Sequence, residues 1–218
     1  LTPEELAAAG DGLGYEYILI SDHSSTLGVT HGLDADGLKA QAREIEQANR
    51  GHRCQLLAGI EVDILADGSL GLPDRVLADL DLVIASVHSG LHMEKDPMTR
   101  RIITAIENEH VDIIGHPTGR LIGRRAPYDL DITRVMKRAA ETGTALECNA
   151  SPYRLDLDDV YLREARNRGI PIAIGTDTHD LPEFGHMTLG VMTVRRGWCR
   201  QSDILNAKTL PELMRWLS

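Results

Sequence analysis

The stretch IAIGTDTHD, Ile172 to Asp180, sets an apolar run and a glycine directly ahead of an aspartate and a histidine. A short apolar run closed by glycine reads as a buried strand. Side chains two apart on an extended chain leave on the same side, so Asp177 and His179 are expected to project together where the strand stops. Five earlier runs share this design: YEYILI (15–20), CQLLAGIEV (54–62), LDLVIASV (80–87), VDIIG (111–115) and TALEC (144–148). Between the strands lie amphipathic segments with helix-start signals: Asp34 before 35–50, Asp96-Pro97 before 98–110, Asp131 before 132–143 and Asp158 before 159–169. Gly143 and Gly169 stand where helices should end. Alternating strands and helices of this kind require a parallel sheet, and nearly continuous apolar strands place it between two covering layers. Two more helical patterns, 183–198 and 210–218, close the chain.

The chain opens without an initiator methionine on a helix cap, with Thr2 as N-cap, Pro3 at the first helical position and Glu5 completing a capping box. It therefore reads as entered partway through. No repeat, low-complexity tract or Pro-rich linker divides it, so residues 1–218 are expected to form one α/β domain.

Each strand delivers ionisable or amide side chains at or near its C-terminal end: Asp22 and His23, Glu61 and Asp63, His88, His116, Glu147 and Asn149, Asp177 and His179. That rim is where parallel α/β folds assemble their sites. A carboxylate inside an apolar strand is costly to bury alone, so Glu61 is expected to meet a metal or a buried partner. Asp63 would face the same side as Glu61, or simply end its strand. Asp22 is a candidate for orienting a neighbouring ligand. Glu147 and Asn149 are candidates for pairing with arginines. His31, His52, His92, His110 and His186 fall away from strand ends and read as ordinary loop or helix histidines, although His92 follows His88 by four residues and could help bind.

Composition narrows the function. With 23 Lys and Arg against 33 Asp and Glu, the net charge of -10 argues against a broad surface that grips nucleic acid by neutralising phosphates. Aromatic residues make up only 4%, so no stacking platform for bases is evident. A phosphate-bearing substrate must then be held locally. Cys54, Cys148 and Cys199 lack CxxC spacing, which excludes a zinc ribbon and fits a reducing cytoplasm. No apolar run approaches the length of a membrane span.

The motifs ISDH, GIEVDI, ASVH, IGHPTGR, CNASPYRLDL and IGTDTH, in that order, resemble those of the PHP (polymerase and histidinol phosphatase) superfamily. The strings HVDIIGHPTGRLIGRRAPYDLDI, NASPYRLDL and GVMTVRRGW are similar to the C-terminal PHP domain of bacterial family X DNA polymerases. The resemblance covers essentially the whole chain. It implies a distorted seven-stranded, TIM-like β/α barrel, with the family's first strand and its H-x-H ligands absent from this chain. By the same resemblance His23, Glu61, His88, His116, Asp177 and His179 fall on metal ligands. Histidine and carboxylate ligation suits Mn, Zn or Fe better than Mg or Ca. Two or three ions belong to the complete family site. The six side chains here suffice for one or two ions with open positions.

The chemistry expected is phosphate-ester hydrolysis by a metal-activated water. Glu61 and Asp177 are the natural bridging carboxylates. Arg120 and Arg154, with Arg124 and Arg125, follow strand ends closely enough to clamp a phosphate. The polymerase branch implies 3'-5' exonuclease action on DNA 3' ends, with an associated polymerase domain supplying most of the DNA grip. Two alternatives remain open: a phosphomonoesterase for small phosphate esters of the histidinol-phosphate type, and a non-catalytic module that only stabilises or positions a polymerase.

Overall fold

A computed structural model describes residues 1–24 and 32–218; His31 lies outside the described residues. Six parallel strands pair strictly in sequence order: β1 (Tyr17–His23), β2 (Gln55–Asp63), β3 (Leu82–Ser86), β4 (Ile113–Ile114), β5 (Ala145–Asn149) and β6 (Ile172–Gly175). These are the six runs read from the sequence, and the described residues contain no seventh strand in this sheet. The helices are α1 (Pro3–Leu13), α2 (Ala35–Asn49), α3 (Asp74–Leu77), α4 (Lys95–Ile106), α5 (Ile132–Thr142), α6 (Asp159–Asn167), α7 (Met187–Arg196) and α8 (Leu210–Leu217). None among the described residues is long and apolar enough to cross a membrane.

Local chemistry explains most boundaries. Thr2 and Glu5 exchange the two bonds of a capping box, and Gly14 ends α1 at φ 75°. Asp34, Asp131 and Asp158 cap α2, α5 and α6 through their carboxylates, while Gly143 ends α5 in the left-handed conformation. The start of α4 differs from the sequence reading. It begins at Lys95 rather than after Asp96-Pro97, and Asp96 sits in its first turn with Arg134 at 3.2 Å. The pattern over 183–198 also divides, into a 3-10 turn, Leu181–His186, and α7.

Period-two alternation gives the curled sheet two different faces. Leu57, Leu82, Ile113, Ala145 and Ala173, one from each of β2 to β6, form one apolar cluster with Tyr17 and Leu19 of β1. Leu210, Leu213, Trp216 and Leu217 of α8 pack onto that cluster, so this helix floors the concave face at the strands' N-terminal end. The alternate set, including Ile60, Val62, Val83, Ala85, Ile114, Leu146, Cys148, Ile172 and Ile174, packs with the surrounding helices in the largest core. All three cysteines are free.

An unclosed sheet leaves edge groups to be covered. On β6 the cover is a side chain: Asn206 Oδ1 accepts from Ile174 N at 2.7 Å and its Nδ2 donates to Ile174 O at 3.0 Å. The same segment reaches β1, whose Tyr17 hydroxyl donates to Leu205 O and Lys208 O. Asn206→Ala is expected to leave both Ile174 groups without a protein partner and to lower stability by about 2 kcal/mol. Urea denaturation measures this, and an unchanged midpoint would mean that water substitutes fully for the carboxamide.

Candidate metal centre

The parallel register sets His23 of β1 beside Glu61 of β2, both on the concave face. His23 Nδ1 lies 2.9 Å from Glu61 Oε2, yet that buried ring nitrogen makes no aligned hydrogen bond. The other carboxylate oxygen, Oε1, is 3.1 Å from His116 Nε2 and 3.5 Å from His88 Nε2, and those two ring nitrogens are 3.1 Å apart. Ligand atoms around a tetrahedral ion with bonds of 2.0–2.1 Å stand about 3.3–3.4 Å from one another. The spacing fits a cation, and the donor set of imidazoles and a carboxylate suits Zn or Mn. His23, Glu61 and His88 each offer a ligand atom within 4.8 Å of the others.

Two glycines make room for the acidic side chains. A Cβ at Gly175 would overlap Glu147 Oε1, and one at Gly115 would overlap Ser86 Oγ and lie 3.4 Å from Glu61 Oε1. His116 (φ 28°) and Asp177 (φ 54°) hold left-handed backbone conformations that non-glycine residues rarely adopt. Such outliers gather at functional sites. At His116 the turn is fixed by its N–H, which donates to Glu147 Oε2 at 2.6 Å.

The charges are shared unevenly. Burial works to raise the Glu61 pKa, but contacts with His116, His23 and His88 outweigh it and hold the carboxyl well below its ordinary range. Burial also pushes the His88 imidazole down, but Asp63 and then Glu61 carry it up to about 9. Glu61 likewise raises His23, against its partial burial. The raised His23 and His88 imidazoles therefore stand in for a cation beside Glu61, and a metal entering here displaces their protons. Glu147 is the opposite case: burial, reinforced by the Glu61 charge, holds it well above the carboxylate range as a neutral acid.

Asp63 resolves the alternative left by the sequence, because its Oδ1 is 2.7 Å from His88 Nδ1. A carboxylate on the second nitrogen of a ligating histidine fixes the ring's tautomer and orientation. Asp177 and His179 complete the mouth. Asp177 Oδ1 is 3.9 Å from His179 Nδ1, and the His179 ring centroid is 6.3 Å from that of His23. Asn149 Nδ2 lies 3.4 Å from Asp177 Oδ2, so it meets a carboxylate rather than an arginine. Glu147 likewise takes a backbone N–H instead of an arginine.

Other candidates go elsewhere. Asp22, one residue before His23, faces the opposite side of β1 and accepts from Gln41 of α2, away from every candidate ligand. Arg120 is a strut: Nε donates to Arg154 O, Nη2 to Leu155 O, and Nη1 meets Asp158 at 3.3 Å. Arg125 donates to Gly119 O. Arg154 does face the cluster, with Nε 4.0 Å from Asp177 Oδ2 and Nη1 buried without a partner among the described residues. His92 is exposed in the turn after β3, and His52 bridges Glu4 and Asp11.

One residue outside the sequence reading supports the site from behind. Arg101 of α4 is only 2% exposed, and its guanidinium donates to Ile64 O, Leu65 O and Ser89 O. It ties the turn after Asp63 to the turn after His88. Its signal was legible in Met98, Arg101, Ile102, Ala105 and Ile106, which put the arginine on the helix's buried stripe.

No family model matches the chain. It is 45% identical over 214 residues to the DNA polymerase/3'-5' exonuclease PolX of Bacillus subtilis strain 168, covering 98% of this chain and 38% of that protein's length. It is 30% identical over 204 residues to a probable phosphatase of Thermoanaerobacter sp. strain X514, covering 88% of this chain and 78% of that protein. A solved zinc-bound amidohydrolase from Burkholderia ambifaria overlays with a TM-score of 0.46 at 16% identity, over 94% of this chain and 65% of that one. The likeness to the phosphatase spans most of both chains, and the ordered motifs fall on the converging residues: this chain belongs to the PHP superfamily.

Proposed function

We propose that this chain is a metal-dependent phosphoesterase that removes nucleotides from DNA 3' ends as the 3'-5' exonuclease part of a family X polymerase. The observation that carries the reading is the convergence of His23, Glu61, His88 and His116 at one mouth of the sheet, with Arg154 beside it. A bound Mn or Zn ion supplies Lewis acidity and a water acidic enough to attack at neutral pH. His23, Glu61, His88 and His116 would hold it, and Asp177 with His179 would complete the ligand set from the open side. Asp63 orients His88, and Glu147 fixes the His116 turn. Arg154 clamps a non-bridging phosphate oxygen, since its unpaired nitrogen lacks a protein acceptor. In the reaction a water oxygen bonds to phosphorus, the bond to the leaving oxygen breaks, and the leaving alcohol gains a proton.

The polymerase assignment is supported by the 45% identity to the Bacillus relative, which names both activities. A second reading, hydrolysis of a small phosphomonoester, is favoured by the relative named a probable phosphatase, most of whose length is matched. The full-length protein loaded with Mn and offered 5'-labelled DNA and p-nitrophenyl phosphate separates them. Shortening of the DNA from its 3' end is expected. Turnover of the small ester alone would replace the exonuclease reading with the second.

A further inference from the structure

Residues 120–127 carry Arg120, Arg124 and Arg125 and no acid, in a chain of net charge -10. They form a hairpin, closed by the Leu121–Arg125 bridge, with Gly123 at its tip (φ 74°). Ile122 N donates to Tyr153 O at 2.7 Å, which fastens the hairpin to the turn that leads into Arg154. That turn is itself rigid: Arg154 N donates to Ser151 O, and the Arg120 strut holds the Arg154 and Leu155 carbonyls.

Two adjacent residues on this turn point to different tasks. Arg154 reaches toward Asp177 and the cluster, whereas Tyr153 is 59% exposed, with the Arg124 guanidinium 5.4 Å from its ring centroid and Ile122 of the hairpin also exposed. An exposed aromatic ring with a guanidinium beside it is a surface on which unpaired bases stack. Tyr153 and Arg154 are consecutive in this turn, so a strand whose phosphate meets Arg154 passes close to the Tyr153 ring.

We infer that Tyr153 and Arg124 form a stacking platform for a base close to the phosphate that Arg154 would hold, which favours a nucleic-acid strand over a small phosphate ester at this site. The low aromatic content had suggested no such platform; one ring in a rigid place suffices. The inference rests on the cluster being the hydrolytic site for strand ends.

The test uses the full-length protein with a short 5'-labelled oligothymidylate, read both as binding without added metal and as cleavage with Mn. Tyr153→Ala should weaken binding by about 5- to 150-fold, the range for loss of one stacked base. Tyr153→Trp should bind as the parent does. Turnover of p-nitrophenyl phosphate should be the same in all three proteins. An abasic nucleotide next to the 3' end should weaken the parent to the same degree and weaken Tyr153→Ala little further. Unchanged oligonucleotide binding in Tyr153→Ala, fully additive losses, or an equal fall on the small ester would each overturn the platform. Binding that depends on Tyr153, together with no release of nucleotides under Mn, would instead sink the exonuclease reading and leave the platform standing.

Discussion

Glu61→Gln should empty the metal centre: metal content after dialysis falls to background, and hydrolysis drops by more than the roughly 10- to 100-fold that loss of an outer partner causes. The reason is geometric and electrostatic together. Glu61 is the group whose two oxygens face His23 on one side and His88 with His116 on the other. The amide keeps the shape but removes the negative charge and turns one acceptor into a donor, pointed at ring nitrogens that must offer lone pairs. Asp63→Asn supplies the graded comparison. It leaves every proposed ligand in place and loosens the orientation of His88, so affinity should fall about 10- to 100-fold with the metal still detectable. Equal metal content in the parent and Glu61→Gln, measured by mass spectrometry, would refute the centre.

The largest effect on stability is expected from Arg101→Met. The substitution keeps most of the buried volume but strips the guanidinium donors from Ile64 O, Leu65 O and Ser89 O; Leu65 O keeps Gly68 N, while Ile64 O and Ser89 O lose the donors shown for them. Each buried carbonyl left without its donor costs about 1–3 kcal/mol, so the two together are expected to cost about 3–5 kcal/mol. At about 2–4 °C per kcal/mol for a chain of this size, the melting temperature should fall by roughly 6–20 °C. Because both turns carry the Asp63–His88 pair, metal affinity should fall as well. Arg101→Lys should recover only part of either loss, since one ammonium cannot reproduce the guanidinium fork. A melting temperature within a degree or so of the parent's would show that Ile64 O and Ser89 O find other donors.

The strands were legible because each is a short apolar run with a sharp end, and burial on both faces demands such runs. Helix starts were readable where an aspartate caps the backbone, as at Asp34, Asp131 and Asp158. At α4 the Asp-Pro pair suggested a start that the backbone makes three residues earlier. The short α3 has no side-chain cap and left no comparable signal. Within the site, strand-end position alone found the residues that converge around Glu61. Asp22 was misjudged for a reason the sequence already held: a neighbour in a strand points to the opposite face, so a residue beside His23 cannot also face what His23 faces. Arg120 and Arg154 look alike in the sequence. Only the fold of the 151–158 turn decides that one guanidinium holds main-chain carbonyls while the other faces the cluster. Asp63 and Arg101 act through other groups, and such roles emerge only when contacts are known.

With α8 packed on the concave face beneath the cluster, the site proposed for hydrolysis is floored at the strands' N-terminal end. Under the proposed function, the released phosphate-bearing fragment then leaves from the side on which the next substrate arrives. Departing and arriving molecules then contend for that side, so product inhibition of the competitive kind is the expected kinetic signature of the proposed activity.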